Sequence, residues 1–282
     1  MAVTIITDSS ADITQEDAKA LGIRVIPLRY RLGEEDFLDG VTISNQEFYE
    51  RLERDKILPK TSQITPFMYA EEFRPYVEEG NDVVYISISS GVSGCYQSAC
   101  MAAEEFDGHV FVFDSQEFCI SLRVMVEYAA RLRDEGKSAK EIFDAMPEAL
   151  ERVRIIALFD TLEYAQKGGR VSKAVEVVGG ALKLKLLISI KDGGVEFIKP
   201  LRGTKKGFAA MEKYVKENGG IDLSMPHCAG YTGTSNAKMM KFLDKYGYLI
   251  DYGEDTVVTH VGTTVGTYAG PGAIAIGYFA EK

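Results

Sequence analysis

The chain has 282 residues, of which 46% are hydrophobic and 26% charged, so one or two packed globular domains are expected rather than disorder. With 42 acidic against 32 basic residues the net charge is −10, which argues against nucleic acid as a partner, because such binding needs a basic surface. The sequence has no basic segment followed by an apolar leader and no run of about 18 apolar residues. We therefore expect no signal peptide and no integral membrane association, and predict a cytoplasmic location.

Strand and helix patterns alternate through the first half of the chain. Strands are predicted over residues 3–7, 23–31, 83–88 and 110–114, and helices over residues 14–21, 44–54, 65–80, 94 onward, 117–135 and 138–152. Ser44 and Ser138 each open a capping box, and Pro66 stands in a first helical turn. Because most of these strands are followed by helices, the pattern predicts a mostly parallel sheet with helices on both faces.

The pattern changes after about residue 153. Strands are predicted over residues 154–159, 184–191, 195–201, 224–231 and 256–261, and helices over residues 205–217 and 235–246. The sequence Asp192-Gly193-Gly194 between two of these strands is a hairpin signal, so the second sheet should be mixed. We predict an α/β fold with two domains, residues 1–153 and 154–282.

The cysteines and histidines do not point to a metal or cofactor. The cysteines are Cys95, Cys100, Cys119 and Cys228, and the histidines are His109, His227 and His260. No cysteine pair has CxxC spacing, so reduced thiols in the core are expected. The histidines are far apart in sequence and form no HExxH, so we expect no zinc site. We predict no metal and no cofactor.

Residues 87–98 are the most informative segment, because small hydroxyl residues and glycines there connect an apolar strand to a helix start. Free N–H groups of a first turn, the helix dipole and serine hydroxyls together suit an anion. The loop contains no lysine and so lacks the P-loop pattern. A hydroxyl-lined site without a basic residue suits one carboxylate or a small oxyanion, although a turn capped by serine explains the residues equally well.

Other polar segments could join this site. Thr61 and Ser62 precede the helix start at Thr65, and could form one oxyanion-binding nest with Ser93 and Gly94, although an ordinary capped loop is as compatible. Polar residues at the carboxyl ends of the parallel strands could face the same rim, with helix capping as the alternative. These are Asp8, Ser9, Ser87, Ser89, Asp114 and Ser115.

The second half of the chain contributes its own glycine and hydroxyl segments. Gly168 and Gly169 mark a turn, for which a helix C-cap is the simpler explanation, and Ser172 suggests a second helix cap. The glycine-rich residues 262–272 indicate a tight loop or close backbone approach over a site. Since such segments occur in both halves, we expect the ligand site in the cleft between the domains.

Taken together, these segments resemble the DegV family of bacterial fatty-acid-binding proteins. The resemblance rests on TDSSAD at residues 7–12, TSQ at 61–63, SGVSGCYQSA at 90–99, residues 162–172 and GTYAGPG at 266–272. It implies a two-domain α/β protein that encloses one long-chain fatty acid in an apolar tunnel. The carboxylate would meet the hydroxyls of Thr61, Ser62 and Ser93, with the Gly94 backbone nearby.

The resemblance also implies a partner. Family members that work with a fatty acid kinase present the carboxyl group to it for phosphorylation by ATP, and carry the acyl phosphate toward phospholipid synthesis without being enzymes themselves. Arg202 matches an arginine linked to kinase engagement. One departure is Tyr268, where the family motif has histidine. Tyrosine donates a hydrogen bond but carries no positive charge near neutral pH, so we expect fatty acid binding to survive and an acyl phosphate to be held less well.

One alternative is a binding module for another apolar acid or a small metabolite, which the sequence does not separate from a fatty acid carrier. The other is an enzyme, either a serine hydrolase or a phosphotransferase acting on a small carboxylic acid. It would need a base within hydrogen-bond distance of Ser93 or Ser62. The sequence has no GxSxG elbow, and nothing in it pairs His227 or His260 with a serine. A carrier needs no such chemistry, because burying 14 to 16 methylenes at roughly 0.8 kcal/mol each gives about 11 to 13 kcal/mol before ordering costs.

Overall fold

The computed structural model describes residues 2–171, 184–254 and 256–281. Ser172, where the sequence suggests a helix cap, lies outside the described residues. The described residues form three sheets, with four, six and three strands. The four cysteines are free thiols, three of them buried. Among the described residues, no helix combines the length and apolar character needed to cross a membrane.

The first sheet has four parallel strands in the order β2-β1-β6-β7. These are β1 (Val3–Asp8), β2 (Arg24–Ile26), β6 (Asp82–Ser87) and β7 (Val110–Asp114). The helices of this part are α1 (Gln15–Ala20), α3 (Pro66–Glu78), α4 (Cys95–Ala103), α5 (Ile120–Asp134) and α6 (Ala139–Arg152). Residues 83–86 of β6 are fully buried, as expected for a central strand of a parallel sheet. The predicted parallel first sheet is confirmed.

The second sheet is mixed and has the order β10-β9-β8-β13-β11-β12. Its strands are β8 (Val153–Phe159), β9 (Leu184–Lys191), β10 (Gly194–Arg202), β11 (Cys228–Tyr231), β12 (Val258–His260) and β13 (Ile274–Phe279). Its helices are α7 (Glu163–Lys167), α8 (Thr204–Glu217), α9 (Ala237–Tyr246) and α10 (Thr263–Ala269). Asp192 and Gly193 form the predicted hairpin turn, with φ of 50° and 75°, the left-handed pair that such turns require.

A third, antiparallel sheet was not predicted. It consists of β3 (Arg29–Leu32), β4 (Glu35–Leu38) and β5 (Lys60–Ser62), and α2 (Asn45–Asp55) packs against it. The prediction of one strand over residues 23–31 is wrong. Two strands, β2 and β3, occupy this segment and belong to different sheets. Pro27 separates them, because proline has no N–H with which to continue a ladder of backbone hydrogen bonds.

Two other predicted elements differ from the structure. The strand expected over residues 224–231 begins only at Cys228, because residues 223–225 form a turn in which Asp222 accepts a hydrogen bond from the Ser224 N–H at 3.1 Å. The glycine-rich residues 262–272, for which the sequence indicated a tight loop or close backbone approach, contain the helix α10. The predicted close approach is present there, since a Cβ at Gly266 would lie 2.3 Å from the Tyr49 hydroxyl. A domain division near residue 153, where β8 begins, stays a prediction.

Glu117, in the connection between β7 and α5, is a buried carboxyl group. It is 6% exposed, and its Oε2 has no hydrogen-bond partner in the described part of the chain. Burial raises the pKa of Glu117 to about 8 from the ordinary 4.5. The unfolded chain therefore releases this proton at lower pH than the folded protein does. Stability should fall as pH rises between these two values, by up to about 1.4 kcal/mol per pH unit.

Glu117→Gln, which cannot ionise, should be more stable than the parent, and by a larger margin at pH 8.5 than at pH 5.5. Urea unfolding at both pH values measures the two margins. Glu78→Gln, at an exposed position of α3, serves as the control. A margin that stays constant between the two pH values would contradict the prediction.

Candidate functional site

A cavity of about 270 Å³ lies between the parallel sheet and the mixed sheet and is lined from both halves of the chain. Its polar lining residues are Thr61, Ser62, Gln63, Ser93, Gly94, Arg170, Thr264 and Tyr268. The rest of the lining is apolar and includes Leu28, Ile88, Phe118, Phe159, Leu162 and Val265. A mostly apolar space with a few convergent polar groups is the usual composition of a small-molecule site.

Thr61 and Tyr268 bring a hydroxyl group from each half of the chain into direct contact. Thr61 lies on β5, paired with β3, and Tyr268 lies on the last turn of α10. Their hydroxyl oxygens are 2.6 Å apart, and either one can be the donor. Both residues line the cavity, so a polar group placed there could form hydrogen bonds with either hydroxyl in place of the bond between them.

Ser93 and Gly94 lie at the start of α4. The Ser89 carbonyl accepts hydrogen bonds from the Val92 and Ser93 N–H groups, both at 3.2 Å, which turns the chain into the helix. The Ser93 hydroxyl oxygen accepts from the Cys95 N–H at 3.3 Å and can still donate its own hydrogen. A Cβ on Gly94 would lie 2.1 Å from Oε1 of Gln63, so glycine lets the two polar segments meet.

All of the predicted carboxylate-binding residues therefore line one cavity: Thr61, Ser62, Ser93, Gly94 and Tyr268. That they bind a carboxylate stays a prediction. Arg202 is not among the lining residues; it ends β10 and is exposed. Its role in kinase engagement also stays a prediction.

Of the two alternatives for the other strand-end polar residues, the structure does not show the one in which they face the site, because none of them lines this cavity. Their polar atoms are used inside the fold. Asp8 accepts from the Ser10 N–H at 3.0 Å and caps a short 3₁₀ turn, which is the capping alternative. The remaining contacts join Ser9 to Asp39, Ser87 to the Ile88 carbonyl, Ser89 to the Gly193 carbonyl, Ser90 to Asp114 and Ser115 to the Ser87 carbonyl.

Arg170 is the residue that sequence reasoning missed. The 87–98 loop has no basic residue, as the sequence shows, but Arg170 lines the same cavity from the second half of the chain. Its guanidinium carbon lies 4.9 Å from the centre of the Tyr268 ring, a cation–π contact, and Nη1 donates to the Gly168 carbonyl at 2.8 Å. A Cβ at Gly168 would lie 2.4 Å from the Tyr268 ring, so the Gly-Gly turn before the arginine was the available signal.

A second, smaller cavity of about 60 Å³ adjoins the first. Its lining is almost entirely apolar and comes mainly from strands of the mixed sheet, the residues just before α5 and the helix α10. Five residues line both cavities: Phe118, Phe159, Val195, Val265 and Ala269. The apolar lining therefore continues from the larger cavity into the smaller one.

The histidines are used elsewhere. His109 bonds to Asp82 at 2.8 Å, and His227 bonds to the Met225 carbonyl at 3.0 Å. The His260 ring stacks between two tyrosine rings, and burial lowers its pKa. Among the described residues that line the larger cavity, none is a histidine, lysine or carboxylate. In the described part of the chain no group of three or more His, Cys, Asp or Glu side chains is arranged to hold a metal ion.

Comparison with known proteins identifies the family. The profile described as "Uncharacterised protein, DegV family" matches residues 2–281. The chain belongs to the DegV family. A DegV domain-containing protein of Caldanaerobacter subterraneus subsp. tengcongensis is 34% identical to it over 283 residues, which cover 99% of each chain. The predicted family resemblance is therefore confirmed.

Solved DegV structures share the fold. A fatty-acid-binding DegV family protein from Thermus thermophilus superposes with a TM-score of 0.89 at 28% identity, covering 99% of this chain and 100% of that one. A stearic-acid-binding protein from Eubacterium ventriosum gives a TM-score of 0.86 at 26% identity, covering 98% of each chain. The predicted α/β class, with a parallel first sheet and a mixed second sheet, agrees with these DegV structures.

Proposed function

We propose that this DegV-family protein binds one long-chain fatty acid in the cavity between the two larger sheets. The observation that carries the proposal is a space of about 270 Å³ whose hydroxyl groups and arginine adjoin an otherwise apolar lining. Relatives with the same fold bind fatty acids. The acyl chain would occupy the apolar part and extend toward the smaller cavity.

The carboxylate would lie among the hydroxyls of Thr61, Ser62, Ser93 and Tyr268, next to the Gly94 backbone. A carboxylate removed from water needs several donors, or it takes up a proton instead. Here the donors come from β5, from α10 and from the start of α4. In the arrangement described above, the Thr61 and Tyr268 hydroxyls satisfy each other with one neutral bond. A carboxylate would replace that bond with charge-assisted ones, which are stronger.

Arg170 supplies a positive charge beside the tyrosine that replaces the family histidine. Its guanidinium lies over the Tyr268 ring and lines the same cavity. An added phosphate group on the ligand would bring further negative charge, for which an arginine fork is well suited. We therefore propose that this site serves an acyl phosphate through Arg170, less well than a site that also has the histidine.

We further propose that the protein presents its ligand to a fatty acid kinase in the cytoplasm, as the resemblance implies, and that Arg202 contacts that kinase. The exposed position of Arg202 at the end of β10 is compatible with such a contact. The product would be an acyl phosphate on its way to phospholipid synthesis. In this proposal the protein is a carrier with no activity of its own.

The enzyme alternative needs a general base beside Ser93 or Ser62. Among the described cavity-lining residues the only ionisable groups are the side chains of Arg170 and Tyr268. The lining thus has no histidine, aspartate, glutamate or lysine, the side chains that usually act as the general base. This favours a carrier over a serine hydrolase. If replacing both His227 and His260 removed a measurable turnover while leaving lipid bound, the carrier proposal would be wrong.

The test is native and denaturing mass spectrometry of the purified protein, with organic extraction of what is released. One fatty acid per chain is expected. Thr61→Ala and Ser93→Ala should each weaken its binding about 10- to 100-fold, because a hydrogen bond to a charged group is worth about 1.5–3 kcal/mol. Ser98→Ala, buried on α4 outside the cavity lining, is the matched control and should bind like the parent. A protein that is empty and takes up no added fatty acid would refute the proposal.

A further inference from the structure

Asp39, which directly follows β4, is a buried carboxylate with a complete set of hydrogen bonds. It is 2% exposed. Its Oδ1 accepts from the Thr263 N–H at 2.9 Å and the Thr263 hydroxyl at 2.7 Å. Its Oδ2 accepts from the Thr264 N–H at 3.1 Å and the Ser9 hydroxyl at 2.9 Å. These four bonds match the lone pairs that a carboxylate offers.

Three of these bonds cap α10 from the other half of the chain. Thr263 and Thr264 are the first two residues of the helix, and its own N-cap residue, Gly262, has no side chain to bond them. Asp39 supplies the missing acceptor from 224 positions away. Asp12 accepts from the Gly262 N–H at 2.6 Å. The side-chain carboxyl groups of Asp12 and Asp39 therefore accept from the backbone N–H groups of three consecutive residues, 262–264.

The opposite end of α10 is bound to the same small sheet. Tyr268, on its last turn, bonds to Thr61 on β5, while Asp39 follows β4, and both of these strands pair with β3. A seven-residue helix is only about 10 Å long and moves as a unit. A displacement at its start is therefore transmitted to Tyr268.

The helix also carries a large share of the cavity lining. Thr264, Val265, Tyr268 and Ala269 line the larger cavity, whereas Asp39 lines neither that cavity nor the smaller one. We propose that Asp39 is a positioning residue for the carboxylate site: it fixes α10 so that the Tyr268 hydroxyl meets Thr61. This inference rests on the proposed function.

The test compares variants of Asp39 by two measurements: residue-resolved hydrogen exchange of α10 in the ligand-free protein, and stearic acid affinity. Asp39→Ala should speed exchange at Thr263 and Thr264 at least tenfold and weaken stearic acid about tenfold. Asp39→Asn keeps an oxygen for Thr263 but turns its amide toward Thr264. It should restore most of the affinity and protect Thr263 better than Thr264. If Asp39→Ala does not fold, the test uses Asp39→Asn alone. We then expect slower hydrogen exchange at Thr263 than at Thr264, and a two- to fivefold loss of stearic acid affinity.

Two controls separate positioning from general stability. Asp36→Ala, at an exposed position on β4, should behave like the parent. Leu52→Ala removes a fully buried side chain from the core around the small sheet and lowers stability without touching the cap of α10. It should bind stearic acid like the parent.

Three outcomes would overturn the inference, and they differ from one another. An Asp39→Ala protein with faster exchange but unchanged affinity shows that the cap does not position the site. Equal losses of affinity in Asp39→Ala and Leu52→Ala show a purely structural role. A parent protein that takes up no stearic acid refutes the proposed function, and the inference fails with it, whatever the exchange data show.

Discussion

Ala269→Phe is expected to weaken fatty acid binding more than 100-fold while leaving the protein folded. Ala269 lies at the end of α10, is 8% exposed and lines both cavities. A phenyl ring there would occupy the space where the larger cavity adjoins the smaller one. If it excludes about four methylenes at about 0.8 kcal/mol each, binding weakens by about 3 kcal/mol, or more than 100-fold. Because the ring enters an existing cavity, stability in the absence of ligand should be unchanged or raised.

Titration with stearic acid and urea unfolding of the ligand-free protein measure the two effects. Ala20→Phe, at the exposed end of α1, is the control for an added aromatic ring and should bind like the parent. Loss of both binding and stability would indicate overpacking. Ala269→Leu, with a smaller added side chain, would then be used to separate the effect on binding from the effect on stability. Retention of one fatty acid at the affinity of the parent would show that the acyl chain lies elsewhere.

The parallel sheet could be predicted because its strands are buried on both faces. Residues 83–86 read as a continuous apolar run, and the residues after it combine a turn with a helix start. Local chemistry therefore determines both the strand and the polar segment that ends at Ser93. This is why Ser93 and Gly94 could be recognised in the sequence as candidate site residues.

The small sheet was hidden because two of its three strands, β4 and β5, lack an apolar pattern of their own. β4 carries Glu35 and Asp36, and β5 begins with Lys60. Such short polar strands form because the adjacent strand β3 supplies their hydrogen-bond partners and the hydrophobic core around α2 packs against the sheet. That information lies in the tertiary contacts rather than in the strand itself.

Arg170 and α10 show the same limit for the site. The position of Arg170 over the Tyr268 ring depends on a turn that packs against a helix about 100 residues further along the chain. The high density of glycine in residues 262–272 indicated a tight loop or close backbone approach rather than a helix. Gly266 is required there for close contact with Tyr49, and the cap of the helix comes from Asp39. Neither cause can be read from the segment alone.

Asp8→Ala is expected to produce the largest loss of stability. Asp8, at the end of β1, is completely buried, and burial raises its pKa. Its Oδ1 accepts from the Ser10 N–H and hydroxyl, and its Oδ2 accepts from the Tyr85 hydroxyl at 2.8 Å and the Ile88 N–H at 3.2 Å. Alanine would leave these buried donors without their acceptor. The expected cost is about 3–5 kcal/mol.

The same network extends to the proposed ligand site. The Tyr85 hydroxyl lies 2.7 Å from that of Tyr69, which in turn contacts Cys95, the first residue of α4. Ile88 lines the larger cavity. Asp8 therefore supports both the cavity lining and the helix start beside Ser93. Asp8→Ala should also weaken fatty acid binding severalfold.

Urea unfolding of Asp8→Ala is compared with that of Asp114→Ala, which removes a carboxylate from the end of the neighbouring strand β7. Asp114 is only half-buried and accepts from the Ser90 and Gln116 N–H groups, at 3.0 and 3.1 Å, so water can replace it and a loss of about 1 kcal/mol is expected. Asp8→Asn should lie between the two, since it keeps one acceptor oxygen. If Asp8→Ala cost no more than Asp114→Ala, the buried network would not be the source of stability described here.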